Sequence, residues 1–249
     1  PEDPKTVASI GNIPAGGYTS GLNVQALRGK RIGLFGPGWR DVELTAETQK
    51  LYDQAIKDLE AQGAIVVPDP FAGSGFAEAV KEYGSIGVES VIYDMQAYLE
   101  RLGPDSPIKS VEELLEKTGQ KPSIFNRYGD SLPDPNGTPD LSRFLKARTR
   151  LLEIFNRVMD KHGLDALFFP QMYKETPLLD SDENIGATTV SEINVAGLPL
   201  VTVPGGYYES GAPFSVVFVG KMWSEAQLLG FAYDYEQATK HRKAPVLEE

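Results

Sequence analysis

Cysteine is absent from the 249 residues. That excludes a disulfide framework, a zinc–thiolate centre and a thiol nucleophile. It does not fix the compartment, because a domain of this size folds without disulfides in either redox environment. Histidine is nearly absent as well: His162 and His241 are the only two, too few for a histidine-built transition-metal site. Neither has an Asp or Ser at a catalytic spacing. His162 lies where a helix should end and His241 in the basic tail "KHRKAP", and a solvated imidazole favoured by the helix dipole is the expected reading. Long apolar runs are missing, so no segment approaches the ~20 residues of a membrane span. The opening "PEDPKTVASI" has no basic n-region and no apolar h-region, so it does not read as a signal peptide. Basic residues are outnumbered, 24 against 35 acidic, for a net charge of -11. A phosphate backbone needs a concentrated cationic surface, so nucleic-acid binding is not expected. These absences predict no metal, no cofactor, no nucleic acid and no membrane, and the expected location is the cytoplasm.

What is present is an apolar fraction of 41%, enough to bury a sizeable core. The run "KRIGLF" (Lys30–Phe35) reads as a buried strand, ended by Gly36, Pro37 and Gly38. Thr45 should cap a helix whose Leu51, Ala55, Ile56 and Leu59 share one face, and Gly63 should stop it. "AIVV" (Ala64–Val67) is then a second strand, and strand, helix and strand at this spacing imply a parallel pair. Further helices are expected over Val88–Leu102 and from Ser110, where Glu113 makes a capping box. Tyr128–Asp140 is a Pro/Gly/Asp-rich loop, and a long amphipathic helix should run from Asp140 to His162. The last third reads as a strand at Asp165–Pro170, a short helix over Thr188–Ala196 and a strand at Leu198–Pro204. The turn "GGYYESGAP", a strand at Phe214–Gly220 and a helix over Ser224–Thr239, capped by Ser224, complete it. The expectation is one α/β domain over residues 1–249, with a mixed, mostly parallel sheet covered by helices and one late antiparallel hairpin.

No self-contained active site emerges from the residues. Gly36-Pro37-Gly38 lies where a nucleotide-binding turn would lie, but only a fragment of the three-glycine fingerprint is present, so it reads as an ordinary turn. Gly205–Tyr208 precedes a hairpin rather than a helix N-terminus. No G-x-S-x-G elbow and no HExxH occurs. Acid pairs such as Glu112/Glu113 and Asp180/Asp182 read as solvated caps and loop residues.

The segment Ala196–Pro245 changes this reading. Asn194, Ala196, Gly197, Pro199, Pro204, Gly211, Pro213, Gly220, Trp223, Ser224 and Glu225 follow, in order, the closing segment of the amidase signature family, which this chain resembles. "LDALFFP" and "LRGKRIGLF" resemble two of the family's upstream strands, and "EDPKTVAS" resembles the linker after its catalytic segment. Most matched residues are scaffold: Pro199 and Pro204 should bracket a strand, Gly197 should end a helix, and Trp223 should pack at a helix start.

The resemblance implies a Ser–cis-Ser–Lys triad whose two serines lie on a Gly/Ser-rich segment and whose Lys lies further toward the N-terminus; the Lys, through the bridging Ser, deprotonates the nucleophile and backbone N–H groups stabilise the oxyanion. No such segment occurs in this sequence, so none of its residues is assigned a catalytic role. The family's substrate-facing loops correspond here to Gln171, Met172, Tyr173 and Thr188, the candidate substrate-binding residues. The family pattern Gly-x-Pro-x-Gly reads Gly211-Ala212-Pro213-Phe214-Ser215 here, and a Ser in place of that Gly reduces backbone freedom beside the pocket. The middle segment, "ESVIYDMQAYLERLGPDSPIKSVEELLE", resembles the peptide-amidase branch. A glutamyl-tRNA amidotransferase A subunit would carry Tyr-Asp-Gly-Val-Arg where this chain has Tyr93-Asp94-Met95.

The expectation is thus the C-terminal portion of an enzyme hydrolysing linear amides, inactive without its N-terminal catalytic segment. A small amide would be its substrate once completed. The alternatives are a truncated, non-catalytic binding or assembly module, and an amidotransferase A-like subunit. In the truncated module a second copy or a partner chain would cover an exposed sheet edge.

Overall fold

The computed structural model describes residues 4–83, 88–119, 125 and 131–244. The chain folds as two compact units, one formed by residues 1–82 with 148–249 and the other by residues 83–147.

The first unit is built on five strands: β1 (Arg31–Leu34), β2 (Ile65–Val67), β3 (Ala166–Pro170), β4 (Leu200–Tyr207) and β5 (Pro213–Val219), in the order β2-β1-β3-β5-β4. β1 pairs with β2 and β3 in parallel, while β5 is antiparallel to both β3 and β4. Four strands therefore run one way and only β5 runs against them. The expected α/β class, with a mixed and mostly parallel sheet, is what the chain adopts.

Strand parity separates the two faces of this sheet. Ile32, Leu34, Ala166, Phe168, Val203, Val216 and Phe218 point one way. They pack against Tyr52, Ala55 and Leu59 of α1 (Ala46–Ala61) and Leu228, Phe231, Ala232 and Tyr235 of α7 (Glu225–Thr239). Phe169 points the other way, into a ring cluster with Trp39, whose other members are Phe71, Phe76 and Phe155. α1 starts as its sequence dictates: Thr45 Oγ1 accepts the Thr48 N–H, and Gly63 follows the helix at φ +83°.

Several boundaries differ from the sequence reading, each for a local reason. The short helix α6 is Ser191–Ala196, not Thr188–Ala196, because Thr188 N–H is bonded to the Gln171 carbonyl in an extended pairing. It ends at Gly197 in the left-handed region, as expected. β4 runs through Pro204 to Tyr207 instead of stopping at Pro204. A ladder irregularity between Pro204 and Gly206, on the edge strand, accommodates the missing proline donor. The turn is therefore only Tyr208–Ala212, closed by Tyr208 N–H to Ala212 carbonyl. Ser224 stands at the cap of α7 but does not cap it, since its hydroxyl donates backwards to the Lys221 carbonyl at 2.6 Å. Trp223 is 41% exposed with φ +68°, so it does not pack at the helix start.

The second unit contains α3 (Val91–Arg101) and α4 (Val111–Thr118), joined through Ile92, Leu99, Val111 and Phe125. Ser110 Oγ accepts the Glu113 N–H, while Glu113 reaches back to the Lys109 N–H, one residue before the cap. The capping box is thus present with its return bond shifted by one residue. Together with a bond from Lys117, this holds the Glu113 carboxyl below its ordinary range. Of the expected loop Tyr128–Asp140, residues 128–130 lie outside the described residues, and 131–141 carry no helix or strand. α5 is Ser142–His162, with Asp140 accepting the Ser142 N–H just ahead of it. α2 spans Phe76–Tyr83. No helix among the described residues is long and apolar enough to cross a membrane.

Candidate functional site

Three of the four candidate pocket residues follow directly after β3, and the fourth lies opposite them. The chain leaves the strand at Gln171 and returns through Thr188, with Met172 bridged to Ala187 and Tyr173 N–H donating to the Gly186 carbonyl at 2.7 Å. The residues between form a loop whose base is this short antiparallel pairing. At the start of the loop, the Tyr173 carbonyl accepts the Thr45 N–H. Lys174 pairs with Glu183 across the loop at 2.6 Å, which raises the Lys174 pKa and lowers that of Glu183. Farther out the loop presents Leu178, Leu179 and Ile185 to solvent.

Gln171 is fixed at both ends of its amide. Its N–H₂ donates to Thr189 Oγ1 at 3.1 Å, and its carbonyl oxygen accepts from Thr202 Oγ1 of β4 at 3.3 Å. Its backbone N–H donates to the carbonyl of Ser215, the residue that replaces the family's glycine. Ser215 sits in β5 opposite Pro204, next to the ladder irregularity. Gln171, Thr189 and Thr202 therefore form a hydrogen-bonded row at the end of the sheet, of which Thr202 is exposed.

Thr188 plays a different part from its neighbours. It is fully buried, and its hydroxyl donates to the Pro170 carbonyl at 2.5 Å, so it holds the base of the loop rather than facing solvent. Met172 and Tyr173 are half-buried beside it.

Sequence reasoning missed the residues that hold this segment from below. Trp39 Nε1 donates to the Thr188 carbonyl at 3.1 Å, and Arg40 Nη1 to the Ala187 carbonyl at 2.9 Å. Arg40 also forks onto Glu192 of α6, Nε to Oε1 and Nη2 to Oε2, both at 2.7 Å. Glu192 is only 1% exposed. A cleft of about 250 Å³ beside this pair is lined by Trp39, Arg40, Val42, Ala77, Lys81 and Glu192.

Gly36-Pro37-Gly38 places Trp39 and Arg40. A side chain on Gly38 would meet the Phe71 and Ala72 backbone at 2.3 Å, and one on Gly36 would meet Asp69 at 2.4 Å. The turn is therefore more than a strand-to-loop punctuation: its glycines let the β1–α1 loop lie directly on the loop after β2. Asp69, itself at φ +33°, accepts the Gly38 N–H there.

Elsewhere, His241 is not simply solvated, because its Nε2 lies 3.3 Å from Asp58 Oδ2 of α1. No group of three or more His, Cys, Asp or Glu able to hold a metal occurs among the described residues.

Known proteins share this architecture. The sequence model of the Amidase family matches residues 2–229. The chain belongs to the amidase signature family. It is similar to a probable amidase of Arabidopsis thaliana, 26% identical over 98% of this chain and 45% of that protein. It also matches the A subunit of the glutamyl-tRNA(Gln) amidotransferase of Acinetobacter baylyi, 23% identical over 93% of this chain and 49% of that protein. Among solved structures, the peptide amidase PAM in complex with the competitive inhibitor chymostatin matches with a TM-score of 0.69 at 28% identity, over 98% of this chain and 51% of that one. The native peptide amidase of Stenotrophomonas maltophilia matches with a TM-score of 0.67 at 28% identity, over 99% and 51%. The chain thus spans about half the length of the relatives it matches.

Proposed function

We propose that this chain is the C-terminal portion of an amidase that hydrolyses linear C–N amide bonds in the manner of a peptide amidase. The two triad serines come from a Gly/Ser-rich segment of the kind this sequence does not contain, and the Lys from further toward the N-terminus. The observation that carries the proposal is the match to peptide amidase over 98% of the chain at 28% identity. The row Gln171–Thr189–Thr202 supports it chemically, because an amide and two hydroxyls offer a substrate amide both donors and acceptors. Gln171, Met172 and Tyr173 contact the substrate in this reading, and Thr188 supports them. The chain on its own is inactive, because removing a serine nucleophile alone costs roughly 10⁴–10⁶ in rate, and the protein works in the cytoplasm. Supplying a family-type catalytic segment, in cis or in trans, should generate ammonia from a C-terminally amidated peptide. A completed protein that stays inert overturns the proposal.

A second reading has one observation of its own. Among the described residues β4 is an edge strand paired only with β5, and Val7, Ile10 and Ile13 near the start of the described chain are 47%, 62% and 59% exposed. An edge strand and, elsewhere on the unit, exposed apolar residues favour an assembly module covered by a second copy or another chain. Sedimentation decides: a monomer at all accessible concentrations removes this reading. Glutamine-dependent transamidation would support the amidotransferase alternative, to which the Tyr93-Asp94-Met95 departure gives no support.

A further inference from the structure

Two consecutive residues of the β1–α1 loop grip one short segment between the loop after β3 and α6. Trp39 takes the Thr188 carbonyl, and Arg40 takes the Ala187 carbonyl together with both oxygens of Glu192. Between these anchors lies Thr189, whose hydroxyl accepts from the Gln171 amide. A pair of this kind on the surface would fix little, since solvent screens it and side-chain entropy opposes it. Here the carboxylate is buried, the fork is bidentate, and the geometry is set in two directions at once.

We infer that Arg40 is a positioning residue: by clamping residues 187–192 it holds Thr189, and through Thr189 the side-chain amide of Gln171, in a single orientation toward an incoming substrate amide. This inference rests on Gln171 belonging to the pocket. Three of the five Arg40 N–H donors, one each on Nε, Nη1 and Nη2, are committed within the protein, so the role assigned to Arg40 is to position this segment. A lysine keeps the charge but cannot fork, so the orientation depends on the guanidinium and not on the charge alone.

Residue-resolved hydrogen exchange by NMR, on this chain, tests the clamp. Arg40→Lys removes the fork and keeps the charge. Arg40→Met combined with Glu192→Met removes both charges, so the fold is retained even if a single substitution unfolds it. Both are expected to speed exchange of the Thr188 N–H by about tenfold or more and to shift the Gln171 side-chain N–H₂ resonances. The Ile65 N–H, bonded to the Lys30 carbonyl at 2.7 Å in the β1–β2 part of the sheet, should keep its wild-type rate. Equal acceleration at Thr188 and Ile65 would make Arg40 a general stabiliser and overturn the inference, as would an unchanged Thr188 rate. Titrating the wild-type chain with a C-terminally amidated dipeptide tests the pocket separately. Shifts at Gln171 and Thr189 uphold it. Their absence contradicts the pocket reading and the substrate side of the inference, whatever the exchange rates show.

Discussion

Two buried carboxylates in the first unit are treated in opposite ways. Glu192 is 1% exposed and meets a guanidinium fork at 2.7 Å on both oxygens. Asp234, on α7, is also 1% exposed but is met by backbone only: Oδ2 accepts the Leu27 N–H at 2.9 Å, while Oδ1 has no partner among the described residues. Burial pushes the Asp234 carboxyl above the ordinary range, with backbone hydrogen bonds opposing the rise. Of these two buried carboxylates, only Glu192 is met by a charged partner. It stands under the segment that carries the candidate pocket. The carboxylate that merely ties residues near Leu27 to α7 is left under-satisfied.

The comparison can be broken most forcefully at Arg40. Arg40→Met strands a buried carboxylate and should cost about 3–5 kcal/mol, read as a fall in the urea midpoint. Adding Glu192→Met should restore most of that loss, and an equal loss in the double substitution would show that the pair matters only through packing. Two buried tyrosines give the next pair. Tyr52 Oη donates to the Phe168 carbonyl at 2.7 Å and accepts the Phe35 N–H at 2.9 Å. Tyr235 Oη is buried with no partner among the described residues. Burial raises the pKa of both, so both hydroxyls stay protonated. Tyr52→Phe should therefore destabilise by about 2 kcal/mol, whereas Tyr235→Phe should stabilise by about 1 kcal/mol. Thermal melting separates these signs.

The smallest effect is on pH dependence. With its native pKa raised, Asp234 holds its proton longer in the folded state than in the unfolded chain. Its contribution to stability is then present at low pH and lost as pH rises from the ordinary value of about 4 through the folded value. Asp234→Asn keeps an acceptor for the Leu27 N–H and removes this term. Urea midpoints of the variant should lose that downward slope, while Glu192→Gln should leave it in place.

Much of the fold could be read from local chemistry. "RIGL", "ALFF" and "SVVFV" are apolar enough to be recognised as buried strands, and Thr45, Ser110 and Gly197 mark helix ends through their own side chains or the lack of one. Where the reading failed, a hydrogen bond to another residue overrode the residue's own preference. Thr188 is a good helix starter by type, but a bond to Gln171 holds it extended. Ser224 is a good cap by type, but its hydroxyl turns back to Lys221. The candidate site divides in the same way. Gln171, Met172, Tyr173 and Thr188 came from the resemblance; the first three follow β3 directly, and Thr188 joins them through the pairing at the base of the loop. Arg40 and Glu192 are 152 residues apart and match no motif. The available signal was faint: a glutamate inside the short apolar helix "SEINVA", and a Trp-Arg step after a turn with two glycines. The stacking of two loops that gives Gly36 and Gly38 their purpose has no local signature either.

The most direct test of the central claim uses the completed protein and the hydrolysis of a C-terminally amidated peptide. The account predicts that Gln171→Ala raises KM about tenfold, the loss of roughly one hydrogen bond to the substrate. Arg40→Lys should move KM in the same direction by less. A Gln171→Ala enzyme with unchanged KM and kcat would contradict the claim that this row faces the substrate.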